Sequence, residues 1–193
     1  MDLFNFQCIT LSKTELKNGT FIRAVNKNGL IGFITYSKKN NLDIMNYAEI
    51  SGYYKNSKRN YFITKEINII DRFPEIRNSF YKLSSAMLFL EITEKAKMGF
   101  ELLLHSLKKL EKSSYRMTII YFLSHFLILN GIFDKNRYSP KELSIIKFLL
   151  QNKTATTPKI IIDNRYFKQI LEKLSHDTQV YLNTKLKSIE FFK

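Results

Sequence analysis

The pattern of apolar residues changes character at residues 71–74, and this change constrains the fold more than any other feature. Before it, short alternating runs are separated by turn residues; the runs at residues 21–25 and 30–36, for example, flank Asn28-Gly29. That arrangement is typical of a β-hairpin with a tight turn. After Pro74, which suits the first turn of a helix, apolar residues recur every three or four positions. The sequence therefore predicts a β part followed by an α part.

The β part contains five candidate strands. The first covers residues 3–11, the second and third follow the turns at Lys17-Asn18-Gly19 and Asn28-Gly29, and the last two cover residues 45–54 and 61–70. Five antiparallel strands match a Greek-key barrel of the OB type better than a sandwich, which normally needs seven. We predict an α+β chain in which residues 1–72 form a five-stranded OB-type β-barrel.

Residues 73–193 are predicted to form an all-α helical domain. One helix should run from about residue 114 to 130 and stop at Gly131. Another should begin at Ser139-Pro140, where a capping serine, a proline and the acidic Glu142 follow one another. Helical spacing also groups apolar residues into single faces: Phe80, Leu83, Met87 and Leu90 in the first long helix, and Phe167, Ile170, Leu171 and Leu174 near the end of the chain.

The chain is strongly basic along its whole length. Its 31 Lys and Arg residues exceed its 17 Asp and Glu residues, which gives a formal charge of +14. Residues 1–72 carry 11 basic and 6 acidic residues, and the remainder carries 20 and 11, so the excess is not confined to a tail. Such an excess favours a polyanionic partner, nucleic acid or an anionic membrane surface. The alternative is an AT-rich genome, which enriches Lys, Asn and Ile whatever the function.

Motifs for catalysis or cofactor binding are absent from the sequence. Cys8 is the sole cysteine, the three histidines (His105, His125 and His176) have no metal-ligand spacing, and the glycines form no phosphate-binding loop. We therefore expect no enzyme activity, no cofactor and no metal site. The longest apolar stretch, residues 117–133, contains Ser124, His125 and Asn130 and predicts a buried core helix, not a membrane span. With no signal peptide at the N-terminus, we expect a cytoplasmic, nucleoid-associated protein with no membrane partner.

Three blocks of sequence together resemble the bacterial recombination mediator family RecO over essentially the full chain. The first block is residues 8–13 with the two glycine-turn strands that follow. The second is residues 69–77, with its Phe73-Pro74 turn, continuing into residues 82–91. The third and most specific is residues 181–191, which are similar to the family's terminal Leu-Lys-Ser-hydrophobic-Glu-hydrophobic signature.

The chain departs from the family pattern at two places. Many members carry a four-cysteine zinc module, whereas residues 131–139 bridge the corresponding gap here and contain no cysteine. The basic loop after the third strand is shortened to Ser37-Lys38-Lys39 and polar residues. The chain thus resembles a compact, zinc-free RecO. The resemblance implies binding of single- and double-stranded DNA, annealing of complementary strands, and help in loading recombinase onto protein-coated single strands. It also implies a RecR-type partner.

The barrel offers cations and aromatic rings for such binding. We expect lysines and arginines on strands and hairpin turns to contact phosphates, and tyrosines to stack on bases. The candidate DNA-binding residues are Arg23, Lys27, Tyr36, Lys38, Lys39, Tyr47, Lys55, Lys58 and Arg59, with Tyr53 and Tyr54 as further stacking candidates. The ordinary alternative is that half the tyrosines belong to the core and that the lysines solubilise hairpin tips.

A protein-binding site is expected in the helical domain. Arg116 opens the third long helix, at a place where the resembling proteins usually have arginine, and a cation beside an apolar groove suits the acidic, Phe-terminated tail of single-strand-binding protein. Lys108, Lys109 and Lys112 would extend this patch, unless they simply complement the carbonyl groups at a helix end. A competing hypothesis is a non-catalytic adaptor, in which the OB barrel is degenerate and the helices dock a protein partner.

Overall fold

A computed structural model describes residues 3–36, 42–56, 59–97, 99–152 and 162–192, with the side chains of residues 55, 56 and 59–61 left out. The five strands are β1 (Phe4–Leu16), β2 (Gly19–Asn26), β3 (Gly29–Thr35), β4 (Tyr47–Asn56) and β5 (Arg59–Asp71). They close into a barrel in the order β1-β2-β3-β5-β4, with β4 returning to pair with β1. All neighbours are antiparallel except β3 and β5, which run parallel. The predicted five-stranded OB-type barrel is confirmed.

Alternation along the strands places one row of apolar residues inside the barrel. The interior cluster consists of Cys8, Ile22, Ala24, Phe33, Leu42, Ala48, Ile50 and Phe62, all buried. The β2–β3 turn closes where the sequence predicts it: Gly29 has a φ of +113°, and the Asn28 backbone N–H donates to Asn26 Oδ1 at 2.8 Å. Glycine adopts this backbone conformation without steric cost, which is why Asn-Gly marks the turn.

Six α-helices follow the barrel in the described part of the chain. They are α1 (Pro74–Arg77), α2 (Phe80–Ala96), α3 (Phe100–Lys112), α4 (Tyr115–Leu129), α5 (Pro140–Gln151) and α6 (Asn164–Leu182), with short 3₁₀ turns at Lys135–Arg137 and Ser188–Phe192. The start of α5 is as predicted: the Ser139 side chain accepts from the Glu142 N–H, and the Glu142 carboxylate accepts from the Ser139 N–H. This reciprocal pair is a capping box. The fold class is therefore α+β, a barrel followed by helices.

The strand-to-helix junction is held in a strained conformation. Phe73, fully buried, has a φ of +51°, and its backbone N–H donates to Asp71 Oδ1 at 2.8 Å. A positive φ is costly for a side chain of this size, so burial and the Asp71 hydrogen bond must hold it.

The contacts within the chain divide it into two compact units. The barrel unit comprises Met1–Phe73 with Thr93–Leu104, and the helical unit comprises Pro74–Ile92 with His105–Lys193. The barrel unit therefore includes the end of α2 and the beginning of α3, which the sequence assigns to the helical domain. The division into domains at residue 72 stays a prediction.

Within the helical unit, Glu91 of α2 contacts the segment that precedes the last 3₁₀ turn. The Glu91 carboxylate near the end of α2 accepts hydrogen bonds from the backbone N–H groups of Lys187, at 3.0 Å, and Ser188, at 2.9 Å. The 3₁₀ turn that follows buries Ile189 and Phe192. The Leu-Lys-Ser signature near the chain end therefore joins α2 through its backbone.

The apolar face read from the spacing of α2 is only partly buried: Leu90 is buried and Leu83 half-buried, but the other two residues are exposed. Phe80 is 64% exposed and Met87 is 38% exposed, whereas Leu88, Phe89 and Ile92 are fully buried. The reason is that α2 is apolar almost all round, so that periodicity does not reveal which side other elements will cover.

Candidate nucleic-acid interface

A groove crosses the outer face of β1, β2 and β3. Cross-strand pairing aligns Thr14 with Phe21 and Phe21 with Ile34, and it aligns Ser12 with Arg23. Paired residues point to the same face of a sheet, so these side chains form one continuous surface. They line a groove of about 530 Å³ together with Leu16.

The Phe21 ring lines this groove and lies over Gly32. A Cβ built on Gly32, in the neighbouring strand, would lie 2.8 Å from Cζ of the Phe21 ring. The missing side chain at Gly32 therefore leaves the space that the ring occupies. Phe21 is half-buried, with Arg23 two residues further along β2 on the same face. An aromatic ring beside a cation suits stacking of a base with contact to its phosphate.

A second depression of about 850 Å³ opens at the end of the barrel, next to the β1–β2 turn. Its cations are Lys13, Lys17 and Arg72, all exposed, and its acidic residues are Glu15 and Asp43. Two of these charges are partnered across the opening, since Lys13 Nζ lies 3.4 Å from Asp43 Oδ1. Thr20 Oγ1 donates to Glu15 Oε2 at 2.9 Å. We call this depression the barrel mouth.

Tyr36 forms part of the wall of the barrel mouth. Its side chain is 54% exposed, and a Cβ on Gly19 would lie 3.0 Å from Cδ1 of its ring. Leu16, itself 46% exposed, lines both the mouth and the outer groove. The two depressions therefore adjoin and present one surface that combines the rings of Phe21 and Tyr36 with cations.

The other predicted DNA-binding residues fall into three groups. Arg23 and Lys27 are exposed but paired: Arg23 Nη1 lies 3.1 Å from Glu94 Oε1, and Lys27 Nζ lies 3.7 Å from Glu101 Oε1. Lys38, Lys39 and Lys58 lie outside the described residues, and the side chains of Lys55 and Arg59 are not described. Of the further tyrosines, Tyr54 is 43% exposed and Tyr53 is half-buried.

Tyr47 does not fit the predicted role as a stacking platform. It is only 8% exposed, its ring centroid lies 6.4 Å from that of Phe100, and its hydroxyl donates to Gln7 Oε1. Burial raises its pKa, with smaller contributions from the charges of Glu101 and Glu49. The expectation for Tyr47 is corrected because the first residue of α3 covers its ring.

Reasoning from the sequence missed several residues of this surface, namely Phe21, Lys13, Lys17 and Arg72. Phe21 and Arg23 are both on the outward side of a strand whose buried residues, Ile22 and Ala24, alternate with them. Strand alternation therefore contained the signal for Phe21. Arg72 carried no such signal, because it reaches the mouth only through closure of the barrel.

The fold gives the predicted protein-binding lysines different degrees of burial. Lys108 and Lys112 are exposed. Lys109, in contrast, is 1% exposed, donates from Nζ to the Asn152 carbonyl at 2.8 Å, and lies 4.3 Å from the centroid of the Tyr121 ring. Burial lowers its pKa. Lys109 is therefore a core residue, and its predicted place in a surface patch is corrected.

Arg116 is half-buried beside aromatic rings. Its Nη1 donates to the Ile162 carbonyl at 3.3 Å, and its Nε donates to the Tyr115 hydroxyl at 3.1 Å. The guanidinium carbon lies 5.7 Å and 5.6 Å from the centroids of the Tyr115 and Phe167 rings. These contacts hold the planar guanidinium group in place.

An exposed aromatic surface continues from Tyr115. The Tyr81 ring stacks on Tyr115 with centroids 5.0 Å apart, and Phe80 packs edge-on against both Tyr81 and Phe191. Phe80, Tyr81 and Phe191 are 64%, 52% and 54% exposed. We call these three residues with Tyr115 the aromatic surface. Exposed apolar patches of this kind are typical of protein-binding sites.

The described residues contain no group of three or more His, Cys, Asp or Glu side chains placed to hold a metal ion. Among their helices, none combines the length and the apolar character needed to cross a bilayer.

Comparison with known proteins adds little to this picture. No protein-family model matches the chain, and no curated protein sequence matches it. Among solved structures, the chain is similar to aspartyl tRNA synthetase from Entamoeba histolytica, with 9% identity and a TM-score of 0.30. The match covers 99% of this chain and 54% of the synthetase chain, so the chain spans about half the length of that protein. A similarity this low carries no argument about function.

Proposed function

We propose that this chain is a DNA-binding recombination mediator of the RecO type. In this role it binds single and double strands, anneals complementary strands and helps load recombinase onto single strands coated by single-strand-binding protein. The observation that carries the proposal is the surface formed by the outer groove and the barrel mouth. There the rings of Phe21 and Tyr36 adjoin the cations Arg23, Lys17 and Arg72.

The mechanism requires binding alone. Cations on a closed barrel neutralise phosphates and release counterions, so that two strands approach each other with less repulsion. Phe21 and Tyr36 offer faces on which unpaired bases stack whatever their sequence. Base pairing between the strands then supplies the free energy of annealing. No covalent step and no cofactor takes part.

Fluorescence anisotropy with a labelled single-stranded oligonucleotide tests the groove. Phe21→Ala should weaken binding about fivefold or more, because base–aromatic stacking contributes about 1–3 kcal/mol. Tyr181→Ala is the control, since Tyr181 is also an exposed aromatic residue, 43% exposed, but lies in α6 and is not part of the groove. Equal affinities for the two variants would remove Phe21 from the binding surface.

The protein partners belong to the same proposal. The acidic, Phe-terminated tail of single-strand-binding protein would place its carboxylates at Arg116 and its ring on the aromatic surface, by a charge-assisted hydrogen bond and apolar contact. Lys112 lies at the end of α3, near in sequence to Tyr115. A RecR-type protein is the second partner that we propose.

Titration of a peptide of this composition tests the tail site. Arg116→Ala and Phe191→Ala should each weaken binding, and Lys168→Ala in α6 serves as the control that removes a cation elsewhere in the helical unit. A peptide that binds both variants as tightly as the unaltered protein would exclude this surface.

A non-catalytic adaptor with a degenerate OB barrel is the second candidate. The aromatic surface favours it, because three exposed rings on the helical unit suit a protein partner without any contribution from the barrel. The two candidates differ in one outcome. The adaptor would bind the peptide but show no affinity for oligonucleotides at low salt.

A further inference from the structure

The covering segment, which we define as Thr93–Leu104, places two carboxylates on the two predicted DNA-binding cations whose side chains the structure describes. Glu94, in the last turn of α2, pairs with Arg23 at 3.1 Å, and Glu101, in the first turn of α3, pairs with Lys27 at 3.7 Å. Both pairs lie within the barrel unit, to which the covering segment belongs. One short stretch of chain thus neutralises both cations.

Apolar contacts fix the covering segment on the barrel. Phe100, between the two carboxylates in sequence, is 4% exposed and packs against the buried Tyr47 ring, with centroids 6.4 Å apart. At the β2–β3 turn, a Cβ on Gly29 would lie 3.5 Å from the Lys97 carbonyl oxygen, so the turn and the segment are in van der Waals range. The segment is therefore anchored by its core residues, independently of the ion pairs.

The ion pairs themselves are open to solvent. The Arg23 and Glu94 side chains are 61% and 33% exposed, and those of Lys27 and Glu101 are both 72% exposed. Exposed pairs of this kind contribute little to stability, so they break at small cost when a stronger anion arrives. Arg23 also lines the outer groove. A phosphate that enters the groove would therefore meet an arginine that is already paired with a carboxylate.

We propose that Glu94 and Glu101 act as internal substitutes for nucleic-acid phosphates. They neutralise Arg23, which lines the outer groove, and Lys27, at the β2–β3 turn, in the free protein, and they yield these cations to a strand that binds along β2. This arrangement lowers the affinity for any single strand and hastens its release, which suits a protein that must let go of annealed strands. The inference rests on the proposed function and concerns the regulation of the same site.

The test compares how tightly the unaltered protein (the full chain without substitutions) and the E94Q/E101Q variant bind a labelled oligothymidylate across a salt series. The variant should bind about threefold to tenfold more tightly at low salt, the scale of two exposed ion pairs. Its plot of log affinity against log salt should be steeper by about 0.7 for each cation that gains a phosphate. Circular dichroism of both proteins establishes that the fold is kept.

Two controls distinguish this inference from the effect of simply making the protein more basic. E66Q removes one negative charge from an exposed position on β5 that is remote in sequence from both pairs. Adding R23Q and K27Q to E94Q/E101Q should abolish the gain, because no cation is left to be freed. A gain of equal size per charge in E66Q, or a gain that survives R23Q/K27Q, would overturn the inference.

The outcomes also distinguish this inference from the proposed function. If the full chain binds the oligonucleotide and E94Q/E101Q binds no more tightly, the inference fails and the proposed function stands. If E94Q/E101Q binds where the full chain does not, the inference is supported directly. If neither protein binds at low salt, both are overturned.

Discussion

Cys8 shows how burial inside the barrel controls the pKa and the reactivity of a side chain. The thiol is fully buried in the barrel interior, and burial raises its pKa to about 12. Because the thiolate is the reactive species, such a cysteine is inert in the folded protein.

We predict that the native protein does not react with an aromatic disulfide reagent at about pH 8, and that one thiol per chain reacts once the protein is unfolded in denaturant. The raised pKa also has a consequence for stability. Its contribution is present below the unfolded value of 9.0 and is lost as the pH rises above that value toward the folded pKa of about 12. Rapid labelling of the native protein would contradict this account.

The pKa of Lys109 is shifted in the opposite direction, and so is its effect on the pH dependence of stability. Its amine is buried against Tyr121 and the Asn152 carbonyl, and burial lowers its pKa below the ordinary 10.5. The unfolded chain therefore binds a proton that the folded chain binds less readily, and stability must rise with pH in the window below 10.5.

We expect the free energy of unfolding of the unaltered protein to rise relative to that of Lys109→Met as the pH approaches 10.5 from below. Urea unfolding at several pH values measures the difference in the free energy of unfolding between the two proteins. Because both contain Cys8, its titration cancels in this difference. A difference that stays constant with pH would show that Lys109 titrates as it does in water.

Tyr47 and Lys109 also show where prediction from the sequence ends at this scale. The sequence placed both residues on surfaces, since tyrosines and lysines usually have an exposed polar end. Their burial depends on Phe100 and on the end of α5, which are distant in sequence. The outward position of Phe21, in contrast, could have been predicted, because it follows from strand alternation alone.

At the scale of elements, α5 is the helix whose start the sequence predicts best. Its capping box is complete, and the Glu142 carboxylate also accepts hydrogen bonds from Lys173 Nζ in α6 at 2.9 and 2.8 Å. Burial raises the pKa of Glu142, but the hydrogen bonds from Lys173 and Ser139 outweigh it, so the pKa lies below its ordinary value. One side chain thus caps α5 and ties it to α6.

Glu142→Gln should lower the free energy of unfolding at about pH 7 by about 2 kcal/mol, because it leaves a partly buried lysine without its counter-charge. The depressed pKa sets the sign of the pH dependence. The contribution of Glu142 is present above its unfolded value of 4.5 and is lost as the pH falls through the lower folded pKa. The deficit of the variant should therefore shrink in acid; a deficit independent of pH would contradict the ion pair.

The hydrogen bonds from the backbone of residues 187 and 188 to Glu91 join α2 to the segment before the last 3₁₀ turn. Glu91→Ala removes the acceptor of two backbone hydrogen bonds and should destabilise the protein by about 1–3 kcal/mol. Hydrogen exchange should show lost protection at Lys187 and Ser188. Glu172→Ala, at an exposed position of α6, is the control and should leave both amides protected.

Helix α2 marks the corresponding limit of prediction for elements. Its existence follows from the sequence, but Phe80 and Met87 are exposed where the spacing favoured a buried face. Which side of an apolar helix is covered depends on the other helices. The capping box of α5, by contrast, is a purely local arrangement of four residues, and local chemistry of this kind can be read directly.

For the whole molecule, the barrel unit and the helical unit offer different surfaces. The barrel unit has the outer groove and the barrel mouth, where cations adjoin the rings of Phe21 and Tyr36. The helical unit has the aromatic surface beside Arg116. The excess of basic residues was visible in the sequence, but the fold decides which cations are paired, which are buried and which line a common depression.

Our central claim is that cations of the barrel bind nucleic-acid phosphates. The salt dependence of single-strand binding tests it most directly. Lys17→Gln/Arg72→Gln removes two cations of the barrel mouth, and Lys65→Gln removes an exposed cation of β5 as the control. Our account predicts that the slope of log affinity against log salt for the double variant is shallower than that of the unaltered protein by about 0.7 per lost phosphate contact, while Lys65→Gln keeps the original slope. Identical slopes for all three proteins would contradict it.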